Sequence, residues 1–150
     1  MASFEIDTIV QSLNEIRKEW RASQRRSREP GGREFPSRDA LAEVMDALKG
    51  ALFPMRLGPT DLRHESEDFY VGHTLDTALH TLLAQARLEI RYQHRHEAIS
   101  DVEVEQRAVS AITFLANRLP HIRSMLDSDV LAAYRGDPAA QTVDEVLLCY

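Results

Sequence analysis

Apolar residues recur at helical spacing along nearly the whole of this 150-residue chain, and no run of four to eight residues alternates strictly between apolar and polar. A half-buried strand needs that alternation, because successive side chains on a strand point to opposite faces, whereas a helix that buries one face needs apolar residues at i, i+3, i+4 and i+7. The pattern therefore predicts an all-α fold, a multi-helix bundle. Ile6, Ile9, Val10, Leu13, Ile16 and Trp20 form one such stripe and predict an amphipathic helix over about residues 4–26, stopped by Pro30, Gly31 and Gly32.

Ser37, just after Pro36, is placed to cap a second helix carrying Leu41, Val44, Met45, Leu48 and Leu52. That helix should end at Phe53, because a residue before proline is disfavoured in helical geometry. "MRLGPTD" then reads as a loop. The longest periodic stretch covers about residues 66–92, with Phe69, Leu75, Leu79, Leu82, Ala86 and Ile90 on one face. At 1.5 Å per residue it would span about 40 Å and form one wall of the bundle. Ser100 and Glu103 match a capping box, in which hydroxyl and carboxylate satisfy each other's backbone donors, and predict the start of a fourth helix. Pro120 is expected to close it and to begin the next. Asp127 is expected to cap a short helix ending at Tyr134, with Gly136 just past its end. "TVDE" at residues 142–145 is a second capping box, opening a helix with Val143, Val146, Leu147 and Tyr150 on one face. Eight residues make a marginal helix alone. The expectation is a chain cut at Tyr150, with a partner surface and a further domain beyond it.

The size suits one domain able to bury roughly 70% of its unfolded-state surface without metal or disulfide staples. A lone cysteine, Cys149, rules out an internal disulfide and a zinc site of several thiolates, which fits a reducing, cytoplasmic setting. The N-terminus lacks the basic and apolar regions of a signal peptide, and no run approaches a membrane span. The formal charge of −6 is uneven: residues 17–38 carry a local +5 and the remainder −11. "RASQRRSRE" could touch nucleic acid or anionic lipid, but no aromatic residues interleave the arginines for base stacking, and a solvated helix end running into an "EPGGREFP" linker accounts for it.

Candidate chemistry is sparse. His73, Asp76 and His80 share a helix face at i, i+3 and i+7, as three metal ligands would, yet polar residues at that spacing also mark the solvated side of any amphipathic helix. His94 and His96 point apart and read as a polar helix terminus. His64 and His121 have no sequence-local partner. No nucleophile elbow, phosphate loop or His-Glu-x-x-His motif is present, and Cys149, in an apolar run, reads as inert packing or merely the end of a cut chain. "RGDPAA" stands out: Pro138 should push Asp137 into an extended conformation while Gly136 permits a sharp turn, fixing a carboxylate at a helix-to-helix corner. Such a carboxylate either serves the turn alone or receives an ammonium or a hydroxyl.

Four stretches, "FPSRDALAEVMDALKGALFP", "FYVGHTLDTAL", "FLANRLPHIRSMLDSDVLAAYRGDPAA" and "VDEVLLCY", together resemble the N-terminal helical domain of serine acetyltransferases, and of their longer bacterial branch in particular. The resemblance divides the chain into residues 1–33, an N-terminal helix and basic linker that match nothing assignable, and residues 34–150, the helical domain truncated at its C-terminal end. It implies an enzyme that makes O-acetyl-L-serine from acetyl-CoA and L-serine for cysteine biosynthesis. Asp137, and to a lesser extent Pro138, would bind serine and also L-cysteine as feedback inhibitor. Catalytic and acetyl-CoA-binding residues would lie in a left-handed β-helix of hexapeptide repeats absent from this sequence. The resemblance implies no catalytic residue, metal or cofactor in this domain, acetyl-CoA being the co-substrate of the full-length enzyme. It also implies a homo-oligomer through the helices, a dimer for this chain and a trimer or hexamer for the whole enzyme, with no nucleic acid and no membrane as partner. The position before the aspartate, often arginine in the family, is Gly136 here. The alternatives are a free-standing helical adaptor binding through its last helix, and a nucleic-acid-binding protein resting on residues 17–38 alone.

Overall fold

The structure, a computed structural model, describes residues 5–23 and 35–149. Within them the chain forms six α-helices and no strand: α1 (Ile6–Ser23), α2 (Arg38–Leu52), α3 (Pro54–Leu57), α4 (Glu67–Gln93), α5 (Asp101–Gly136) and α6 (Val143–Cys149), with a single 3₁₀ turn at His64–Ser66. The all-α expectation holds. The boundary near residue 33, most of the basic cluster and Tyr150 lie outside the described residues.

Helix α2 starts where its cap was expected. Ser37 is extended, its hydroxyl accepts from the Ala40 N–H at 3.3 Å, and its own N–H donates to Gln85 Oε1 of α4 at 2.7 Å. One residue thus both starts α2 and ties it across to the far half of α4. Phe35 adds a tilted ring contact with Tyr92, centroids 5.2 Å apart. At the other end of α2, Gly50 lies so close to Tyr70 that an added Cβ would meet its hydroxyl at 2.5 Å. Helices α2 and α4 therefore run antiparallel. Helix α5 returns along the other side of α4, held by paired Arg87–Glu105 hydrogen bonds of 2.5 and 2.7 Å and by Arg91 on Asp101 at 3.1 Å.

Helix α4 is thus the middle of a three-helix layer. Its tightest point is Ala78, buried with Val44 and Leu48 of α2 and Leu119 of α5. A methyl group there lets the backbones of both neighbours approach, and the larger Leu75, Leu82, Leu115 and Ile122 pack around it. A second buried point, Val104 and Ala108, lies near the start of α5. The expected α4 stripe is corrected at one end: Phe69 is 78% exposed and stacks on His73 instead of entering the core. A helix packed on two sides has no single apolar face, so a one-stripe reading assigns some residues wrongly.

Two further expectations are corrected. "MRLGPTD" is not all loop, since Pro54 at the first helical position opens the short turn α3. Pro120 does not end a helix, because α5 runs unbroken for 36 residues with Pro120 inside it, and Asp127 is not a cap but a mid-helix residue taking Arg123 Nε at 2.9 Å. Proline removes one i to i−4 bond and crowds the carbonyl of Ala116, at a cost of about 3 kcal/mol in a helix interior. Here Pro120 is exposed, while Leu119 and Ile122 pack on α2 and α4 and hold both turns in line. Tertiary burial outweighs the local penalty.

The capping boxes are also only partly as expected. Ser100 Oγ accepts from the Glu103 N–H at 3.2 Å, but the Glu103 carboxylate turns to Arg107 at 2.6 Å. At α6, Thr142 Oγ1 accepts from the Glu145 N–H at 3.2 Å, and the Glu145 carboxylate accepts from the Gln141 N–H at 2.8 Å. Arg56 joins α3 to α6 through Asp144 at 2.7 Å. The stripe of α6 is turned partly inward: Val146 is 7% exposed and Val143 40%.

Candidate functional site

The corner after α5 is built by Asp137 and Pro138. Asp137 caps the helix with φ −104° and ψ 104°, the extended geometry imposed by the following proline. Its N–H still donates to the Ala133 carbonyl at 3.0 Å, and its carbonyl accepts from Ala140 at 3.2 Å. Carboxylate oxygen Oδ1 accepts from the Ala139 N–H at 2.8 Å, closing an Asx turn. The side chain is thus fixed by its own loop, on a residue that is exposed. Tyr134 adds a long bond from its hydroxyl to the Gln141 carbonyl at 3.4 Å.

Gly136 plays a different part from the one expected. It is the last helical residue, and an added Cβ would meet nothing within 4 Å, so the corner does not depend on glycine. The turn comes from proline and the Asx bond. Space at 136 is also what a larger side chain would require.

An exposed carboxylate so placed can accept from an ammonium or a hydroxyl, and charge assistance would make that bond stronger than a neutral one. General-base activation of a hydroxyl would further need a base oriented by a second residue. The imidazoles do not supply one at this corner. His80 Nδ1 lies 2.8 Å from its own-turn Asp76 carbonyl, and His73 stacks on Phe69. His94 sits between the Ile90 carbonyl and Arg107, at the end of α4 where a polar terminus was expected. His64, expected to have no partner close in sequence, lies 3.3 Å from Glu67, three residues on. The trio of His73, Asp76 and His80 is not gathered around a point, and among the described residues no three His, Cys, Asp or Glu side chains converge as metal ligands. Cys149 is exposed, which removes the packing half of its reading and leaves the other.

Two hollows lie away from the corner. One, of about 460 Å³, is bordered by Phe53, Arg56, Arg123, Asp127 and Asp144. Its cations are engaged: Arg56 on Asp144, and Arg123 on Asp127, on the Leu52 carbonyl and over the Phe53 ring at 4.0 Å from the centroid. Sequence reasoning did not find this cluster, because its charged members come from three helices, α3, α5 and α6. The other, of about 790 Å³, is an almost wholly apolar groove between α2 and α5. Asp137 lines neither. No helix among the described residues is long and apolar enough to cross a membrane.

No family model matches the chain. A serine acetyltransferase (plasmid) of Synechococcus elongatus is 39% identical to it over 119 residues, an alignment that covers 77% of this chain and 37% of the relative. The chain thus spans little more than a third of the length of that protein. Identity at this level over three quarters of the chain shows that the chain is related to the serine acetyltransferases.

Proposed function

We propose that this chain is the N-terminal helical domain of a serine O-acetyltransferase, the enzyme that moves the acetyl group of acetyl-CoA to the hydroxyl of L-serine, releasing CoA. The likeness to the Synechococcus serine acetyltransferase carries this reading. Asp137 is its substrate-binding residue, with Pro138 holding the aspartate extended. An exposed aspartate whose Oδ1 is already tied to Ala139 supports the assignment, since a ligand ammonium would meet a preset carboxylate. L-cysteine, with the same ammonium, would compete there. The base that takes the serine hydroxyl proton and the groups that hold acetyl-CoA belong to a further domain, in the cytoplasmic enzyme, and the helical domains join copies into a homo-oligomer.

The test is Asp137→Asn in the enzyme carrying both domains. Loss of a charge-assisted bond worth about 1.5–3 kcal/mol should lower serine kcat/KM roughly 10- to 150-fold. The KM for acetyl-CoA should hardly change, and L-cysteine inhibition should weaken in parallel. Unchanged serine kinetics with a lowered melting temperature would leave Asp137 as a turn residue. The 150-residue chain alone should release no thiol from acetyl-CoA when L-serine is added, and serine-dependent release would refute the division of labour.

A further inference from the structure

Among the described residues, two apolar surfaces are left open, and they match. The groove between α2 and α5 is floored by the core and walled by Leu41, Met45 and Leu52 on one side and Leu115, Ile122 and Leu126 on the other. Met45 is 55% exposed, and Leu41 and Leu126 are also open to solvent. Helix α1 buries no residue, although Ile6, Ile9, Val10, Leu13, Ile16 and Trp20 form a continuous stripe along it. From Ile6 to Trp20 the stripe is about 21 Å long, and from Leu41 to Leu52 the α2 wall is about 17 Å. Each face is the kind of surface that a soluble chain seldom leaves uncovered.

We propose that the groove between α2 and α5 is the docking site of the chain's own α1, which lays its apolar stripe along it. The connection favours the chain's own helix over that of a second copy. Fourteen residues separate Ser23 from Arg38. Extended, they reach up to about 45–50 Å, some twice the ~22 Å length of α2, so α1 can lie along the groove in either direction. A tether of that length holds α1 at an effective concentration near millimolar, well above that of another molecule at micromolar protein. Apart from Lys49 and Asp129, both exposed, the residues lining the groove are apolar, as a stripe of isoleucine, leucine and tryptophan requires.

Trp20 is the chain's sole tryptophan, which makes the docking directly readable. Its fluorescence in the 150-residue chain should be blue-shifted and shielded from acrylamide, to the same extent at low and at high micromolar protein. Met45→Glu and Leu126→Glu, at exposed positions of the groove walls, should each return the emission to that of a water-exposed indole while far-UV helicity stays native. Leu13→Glu should do the same without touching the bundle, since α1 lends it no buried residue. A water-like emission in the unmodified chain would overturn the proposal. So would a blue shift that grows with protein concentration, which would assign the groove to a second copy, or one that survives all three substitutions, which would place α1 elsewhere.

Discussion

Helices α1 and α2 read alike in sequence and differ in what they do. Both are amphipathic, 18 and 15 residues long, with apolar residues at the same spacing. Yet α2 buries Val44, Leu48, Gly50 and Ala51, and α1 buries nothing. The difference lies in what holds each end. Ser37 ties α2 to Gln85, Phe35 leans on Tyr92, and Arg123 from α5 donates to the Leu52 carbonyl, so α2 is fixed at both ends against elements distant in sequence. A stripe states that a helix can be buried. Docking at its ends decides where.

The sharpest way to break that contrast is to truncate one leucine in each helix. Leu48→Ala should destabilise the bundle by about 2–5 kcal/mol, because the site is closed around Ala78 and Leu119 and cannot collapse freely. Leu13→Ala in α1 should cost under about 1 kcal/mol, since even a docked α1 covers an exterior groove. Denaturant midpoints would read both, and equal losses would mean that α1 belongs to the core.

Glycines sharpen the same contrast between closed and open places. An added Cβ at Gly58 would lie 2.3 Å from the Pro54 carbonyl oxygen, a backbone atom that cannot move aside, so Gly58→Ala should cost about 1–3 kcal/mol. Gly136→Ala should instead stabilise by about 0.4–1 kcal/mol, because its surroundings are empty and alanine narrows the unfolded ensemble. Thermal melts of the two should move in opposite directions, and a fall for Gly136→Ala would show that the corner needs glycine after all. Ser37→Ala should cost about 1 kcal/mol through loss of the α2 cap.

The smallest effect concerns acid. Hydrogen bonding from Arg87 holds the Glu105 carboxyl below the usual carboxylate range, with burial opposing it; the same bonds raise the Arg87 guanidinium further. A depressed carboxyl contributes stability that is in full force above its unfolded value, about 4.3, and is lost as pH falls through the folded one. Arginine stays charged throughout. The acid limb of the stability curve should therefore be shallower in Glu105→Gln than in the parent chain, and identical limbs below about pH 4 would show that this half-exposed pair is screened to nothing.

The sequence by itself determined the fold class, the start of α2 at Ser37, the cap at Ser100 and the extended corner at Asp137, because each depends on bonds within a few residues. The resemblance that led to the serine acetyltransferases was legible in the same way, in contiguous stretches. Tertiary structure alone decided the rest. Pro120 reads as a break from local chemistry, and only the packing of Leu119 and Ile122 on both sides carries α5 through it. Phe69 belongs to a perfect stripe and stays outside, while Ala78, too small to attract notice, is the point where three helices meet. The candidate site divides likewise. The shape of Asp137 was written in its proline, whereas the Arg56, Arg123, Asp127 and Asp144 cluster had no local signal. Helical period, caps and turns are properties of one segment, whereas burial is a property of pairs of segments, and pairs are set by how the whole chain closes on itself.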